Sequence, residues 1–159
     1  MEYSVRFIKI GMLASIALFF SIVAFDNIID FESNWIYVQH VLSMDTTFHN
    51  PALMTRAITH PSIQKFVYYF IIAWQILTAL FCWLGSFILL SKINMKDAQF
   101  NHARKIGLIG LFLGFLLYMV GFIIIGGEWF SMWQSAIYNG QMKAGLFVSL
   151  IIFVMIFHK

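Results

Sequence analysis

A helix needs about 20 mostly apolar residues to cross a hydrocarbon layer of ~30 Å. Four stretches of this chain reach or approach that length: 5–25, 66–90, 106–125 and 144–157. The second and third contain no charged residue. The fourth is short, and it reads as beginning near Gln141 with Lys143 snorkelling to the interface. This pattern decides the class. Of 159 residues, 61% are hydrophobic and 11% charged, against roughly 45–50% and about 25% in soluble domains. A soluble enzyme, a disordered tail, a collagen-like fibre and a disulfide scaffold are all excluded. The expectation is one all-α integral membrane domain over 1–159, an antiparallel bundle of four transmembrane helices at about 5–25, 66–90, 106–125 and 141–157.

The first run follows Arg6 and Lys9, as the apolar core of a signal peptide would. It sits at the long limit for such a core, and Ile22 spoils the small-x-small pattern before Ala24. It therefore reads as a retained membrane anchor. Cys82 is the sole cysteine, so no intramolecular disulfide braces a loop. No basic run points to nucleic acid, and no lipidation motif is present.

Lys and Arg set orientation. With the N-terminus inside, Arg6, Lys9, Lys92, Lys96, Arg104, Lys105 and Lys159 are cytoplasmic, and Lys159 stops the chain at the far interface. Arg56, Lys65 and Lys143 lie outside, with Asp26, Asp30, Glu32, Asp45 and Glu128; only Glu2 and Asp97 are acidic inside. The bias predicts N-in, C-in. The inner loop at 91–105 is short and polar. The outer segment 27–65 is not loop-like. Trp35, Ile36, Val38, Val41 and Leu42 recur at helical spacing, with Ser33 or Asn34 as N-cap. Asn50-Pro51 reads as N-cap and first residue of a short helix to about Thr59. His60-Pro61 punctuates the approach to the second span. The second outer segment, 126–141, is rich in Trp and Tyr, which favour the interface, so both segments are expected to lie along the outer headgroup layer as amphipathic elements.

Lipid gives helices no hydrophobic reason to associate, so small residues and a few hydrogen bonds must do so. Each span has such a stripe: Ala14, Ala17, Ser21 and Ala24; Gln75, Thr78, Cys82 and Gly85; Gly107, Gly110, Gly114 and Gly121; Gly145 and Ser149. These steps predict seams facing one another inside the bundle. The rival reading gives the glycines of the third span to a homo-oligomer. Gln75 is the large polar side chain nearest the middle of a span. An unpaired amide there costs several kcal/mol, so it is expected to clasp Thr78, Ser21 or a backbone carbonyl.

The outer face gathers Asp26, Asp30, Glu32, His40, Asp45, His49, His60 and Glu128, and the candidate polar cluster is Asp26, Asn27, Asp30, His40, Asp45, Arg56, Glu128 and Gln134. Carboxylates and histidines together can hold a divalent metal, but no HxxxH, HExxH or paired cysteines occur, and no metal ligand set is assigned. The plainer reading has Asp26, Asp30 and Glu128 capping helices and pairing with Arg56 or Lys65. Asp26 stands out, because it borders the first span, where desolvation penalises an unpaired charge. No histidine lies at mid-span, which argues against buried haem. No ionisable residue or broken helix marks a proton relay or a midplane transport site. No triad context or phosphate loop appears.

The stretches FDNIIDFESNWIYVQHVLSMDTTF (25–48) and GGEWFSMWQSAIYNGQ (126–141) resemble a bacterial family of predicted small integral membrane proteins. The likeness extends over nearly the whole chain. It implies an inner-membrane protein with four spans and supplies no activity. It marks Asn27, Asp30, Asn34, Gln39, His40, Val41, Met44, Asp45, Thr46 and Thr47, then Gly127, Glu128, Trp129, Trp133, Gln134, Asn139, Gly140 and Gln141. Relatives carry an acid after the tryptophan of the second span, where this chain has Gln75 after Trp74. The marked residues fall outside the membrane, where a cap without disulfides needs polar cross-links: Asp45, Thr46 and Thr47 to close a turn, Arg56 to receive an acid.

By subtraction, the expected function is that of a non-catalytic accessory or assembly subunit of a larger bacterial inner-membrane complex, with the lipid bilayer and other integral membrane subunits as partners. Bound lipid is expected and no cofactor is assigned. The alternatives are a ligand or metal site at Asp26, Asp30, His40, Asp45 and Glu128, and a homo-oligomer through the glycine stripe.

Overall fold

The computed structural model describes residues 2–158; the expected stop at Lys159 lies outside them. Among the described residues the chain is helical and contains no strand. Helix α1 spans Glu2–Ile29, α2 Phe31–Ser43, α3 Pro51–Met54, α4 Pro61–Ser91, α5 Asp97–Ala103, α6 Lys105–Leu116 and α7 Gln141–Phe157. Between α6 and α7 the chain forms a π-helical segment, Leu117–Trp129, and a 3-10 turn, Met132–Gln134. Three helices are long and apolar enough to cross a membrane: Tyr3–Ile29, Pro61–Ser91 and the composite Asp97–Trp129. Helix α7 is apolar but shorter.

The elements follow local chemistry, with departures from the simplest reading. Pro61 opens α4, where its missing N–H costs nothing. The Asn50 side chain accepts from the Ala52 N–H and caps α3, but the helix ends at Met54, short of Thr59. Helix α2 begins three residues before Asn34, at Phe31, so neither Ser33 nor Asn34 is its cap; Asp30 holds that place without a side-chain bond. Met44 ends α2 at φ 56 and sends its N–H to the Val41 carbonyl, a left-handed exit of the kind glycine usually supplies. The loop after α4 holds a further short helix, α5. The third apolar stretch is not uniform α-helix, since its second half winds as π.

Helices pack end to end in register. At one end the Arg6 guanidinium donates to the Ile93 and Met95 carbonyls (2.6 and 2.7 Å), pairs with Asp97 and stacks on Phe100. Arg6 is thus a clamp joining the start of α1 to the end of α4, not merely a topology signal. Beside it, Arg104 donates to the His158 carbonyl and ties the start of α6 to the end of α7. In between, the small residues bring backbones together. A Cβ on Gly85 would collide with the Gly107 backbone, and one on Gly110 would lie 2.7 Å from the Cys82 amide nitrogen and sulfur. Gly114 faces the Phe20 ring. Three glycines of the supposed oligomer stripe, Gly107, Gly110 and Gly114, are therefore buried within one chain. Gly121 leaves the seam, meeting only its own neighbour Leu117. Two indoles add cross-links: Trp74 donates to the Leu113 carbonyl (2.9 Å) and Trp83 to the Ser21 hydroxyl (3.1 Å).

At the other end α2, α3 and the turn after the π segment form a cap. Its own core, Trp35, Val38, Leu42, Met44 and Phe130, is seated on Tyr68 and Ile72 of α4.

Candidate functional site

The polar cap residues do not converge as one cluster. Among the described residues no group of three His, Cys, Asp or Glu side chains is close enough to share a metal. His40 Nδ1 lies 2.8 Å from Asp45 and its ring stacks on Tyr138. Glu128 accepts from Gln141 Nε2 at 3.0 Å. Asp26 and Asp30 line a separate recess with Asn27 and Asn34. Arg56 does not receive an acid; it donates to the Trp129 carbonyl at 3.3 Å and lies over that indole, 4.6 Å from the ring centroid. Asp26, Asp30, His40, Asp45 and Glu128, the residues of the expected ligand or metal site, are dispersed around the cap, with Asp45 paired to His40 and Glu128 to Gln141. The remaining cap links are local. Thr47 closes its turn by donating to the Met44 carbonyl, Thr46 donates to Ser135, and Gln134 accepts the Phe48 N–H.

What does converge is a chamber under the cap. It begins with Gln75, which is 2% exposed and does not clasp Thr78, Ser21 or a carbonyl. Its Oε1 accepts from Asn27 Nδ2 at 2.8 Å across the α1–α4 seam. Thr78 donates instead to the Trp74 carbonyl and Ser21 to the Ala17 carbonyl. The Tyr68 hydroxyl donates to the Asn27 carbonyl and approaches its Oδ1 (3.1 and 3.3 Å). Both side-chain amide oxygens of this buried trio are engaged. The donor side is not: Gln75 Nε2 makes no hydrogen bond, and the second hydrogen of Asn27 Nδ2 is likewise uncommitted.

Around this trio lies a cavity of about 430 Å³, walled by Asn27, Asn34, Tyr37, Tyr68, Gln75, Tyr118, Phe122, Asn139, Gly140 and Lys143, with apolar residues between them. Ligand pockets span about 300–1,000 Å³. Tyr118 comes from the π segment; it is 4% exposed, yet its hydroxyl has no hydrogen-bond partner among the described residues. Lys143, from the first turn of α7, is exposed at the wall. Tyr37 donates to the Met132 sulfur at 3.1 Å, and burial pushes its hydroxyl up to about 12, against a smaller opposing effect of Gly140, so it stays neutral. The chamber thus presents uncommitted amide donors at Gln75 and Asn27 and the Lys143 ammonium at its wall. These suit a ligand head that carries carbonyl or carboxylate oxygens.

Of the sequence candidates, Asn27 and Gln75 meet here, and so do the motif positions Asn34, Asn139 and Gly140. Tyr68, Tyr118 and Lys143 were not singled out for a site. A buried tyrosine in an apolar run carries no sequence signal separating an unpartnered hydroxyl from ordinary packing. A family described as "Predicted small integral membrane protein (DUF2165)" matches residues 5–159. The chain belongs to this family. As a small integral membrane protein it sits in a lipid bilayer, and the chamber is a feature of a membrane fold. No curated protein and no solved structure matches the chain.

Proposed function

We propose that the protein is a non-catalytic, four-crossing protein of the bacterial inner membrane, with both termini cytoplasmic, that holds an amphipathic small molecule by an acceptor-bearing head in the chamber beneath its cap. One observation carries the reading: the Tyr118 hydroxyl, which has no hydrogen-bond partner among the described residues, lines the same chamber as the Gln75–Asn27 pair. A ligand oxygen reaching that hydroxyl inside the chamber gains a hydrogen bond worth about 0.5–1.5 kcal/mol. The test is extraction of the purified protein for small molecules, followed by native mass spectrometry. Wild type retains one head-bearing molecule; Tyr118→Phe, which keeps the ring and deletes the donor, and Gln75→Leu both lower its occupancy. Equal retention by both variants refutes the reading.

A second reading, an accessory subunit among other membrane subunits, is favoured by the cap surface. Phe48, Ile137 and Met142 are 71%, 75% and 89% exposed, with Trp133 edge-on to Phe48. Exposed apolar side chains at the cap suit a contact surface.

A further inference from the structure

A second cavity, distinct in chemistry, lies on another face of the π segment. It is a cleft of about 570 Å³ between α2, the first turns of α4 and the π segment, with Val41, Val67, Leu117, Gly121 and Ile125 among its walls. Tyr37 is its one hydroxyl-bearing wall residue, and that hydroxyl is turned to Met132. Nothing in the cleft recognises a polar head. It opens sideways, because Phe70, Ile125 and Trp129 on its walls are 51%, 45% and 53% exposed. From Leu117 to Trp129 the wall covers twelve residue steps, at most about 18 Å at the α-helical rise. One leaflet is roughly half of the ~30 Å hydrocarbon layer. The cleft is one leaflet deep.

Its cap-side boundary is cationic. Trp129 ends the wall, and the Arg56 guanidinium lies on its ring. Arg56 makes one hydrogen bond, from Nη1 to the Trp129 carbonyl; no carboxylate among the described residues pairs with it. A guanidinium offers five N–H donors in a planar fork that suits phosphate oxygens. A hydrocarbon groove one leaflet deep, ending at a half-buried arginine free of acids, has the complementarity of one molecule in a bilayer.

We propose that the cleft is a lipid site: one acyl chain of an anionic phosphoglyceride lies between α2, α4 and the π segment, and its phosphate is held by Arg56. The site adjoins the chamber, with Tyr37, Val38, Ile71 and Phe122 on both walls, but its phosphate contact at Arg56 lies outside the chamber, so its test does not depend on the chamber's ligand. The full chain is delipidated in detergent and titrated with palmitoyl-oleoyl phosphatidylglycerol, and with dioleoylglycerol as the head-free control, by native mass spectrometry. A phosphatidylglycerol with a photoreactive group in its acyl chain maps the contact. The expected result is one tightly held phosphatidylglycerol, crosslinked at Val41 and Ile125. Arg56→Gln weakens its binding about tenfold, the worth of a charge-assisted hydrogen bond, and Arg56→Lys restores part of the loss. Dioleoylglycerol binding is unchanged by either substitution, which also shows that the variants are folded. The proposal is overturned if Arg56→Gln binds phosphatidylglycerol as wild type does, if crosslinks spread to outward residues such as Leu80 and Phe153, or if a co-purifying protein occupies the cleft in place of lipid.

Discussion

Gln75 and Asn27 sit 48 positions apart in sequence and meet at 2.8 Å, both almost sealed from the surroundings. Each is tolerable only because of the other. Gln75→Leu leaves the Asn27 amide without its acceptor, and the expected loss is about 1–3 kcal/mol, read as a lower thermal midpoint in detergent. Adding Asn27→Leu removes the stranded amide, and the double variant loses less than the two single losses combined. Additive losses would show that the amides do not interact. The need for a clasp at Gln75 follows from a polar group in an apolar run. Its partner does not, because Asn27 lies at the end of the first apolar stretch and only the length and tilt of α1 bring it to the depth of Gln75. Arg6 carries the same lesson: its charge reads as a topology signal, while its carbonyl partners at Ile93 and Met95 depend on where α4 ends.

Among elements, glycine position discriminates better than glycine count. A methyl group on Gly110 would meet the Cys82 backbone nitrogen at 2.7 Å, and backbone cannot rotate away. One on Gly107 would meet the Leu13 Cδ2 at 2.5 Å, and that side chain can move. One on Gly145 meets nothing within 4 Å. Alanine scanning should therefore rank the sites. Of these three, Gly110→Ala costs the most, about 1–3 kcal/mol by overpacking, Gly107→Ala costs less, and Gly145→Ala is neutral or stabilising by up to about 1 kcal/mol. Thermal midpoints in one detergent check the order; a costly Gly145→Ala would contradict it. The stripe on α6 was legible because close backbone approach needs small residues at helical spacing. The π segment was not: LYMVGFIIIGGEW is as apolar as any α-helix, and π winding follows from how the chain fits α4, α7 and the cap. That winding matters, since Tyr118 lines the chamber, Gly121 and Ile125 line the cleft, and Phe122 stands between the two. The placement of the acids and histidines was not legible for the opposite reason. They share a side of the membrane in sequence order, but helix geometry distributes them around it.

At the scale of the molecule, the open question of topology rests on α7. Its 17 residues rise about 26 Å, slightly less than the ~30 Å layer. Four contacts set it alongside the α6–π rod. Its first residue, Gln141, packs against Gly127 and binds Glu128 at the cap. The carbonyl of His158, just beyond its last turn, receives Arg104, and its Ile151 lies beside Gly114, midway along the α6–π rod. Helix α7 thus runs the height of α6 and the π segment combined, between the cap and the level of the Arg6–Asp97 clamp. Lys143 in its first turn is exposed and can reach headgroups. If four helices cross, both termini share a compartment, and the Lys and Arg gathered near the clamp put that compartment inside. Fusing a reporter that fluoresces only in the cytoplasm to either terminus should give signal from both, and placing it in the α2–α3 loop should give none. Removing the charges at Lys92, Lys96, Arg104 and Lys105 together should weaken this orientation bias, while Arg56→Gln should not. Opposite compartments for the two termini would mean three crossings, with α7 lying in the interface.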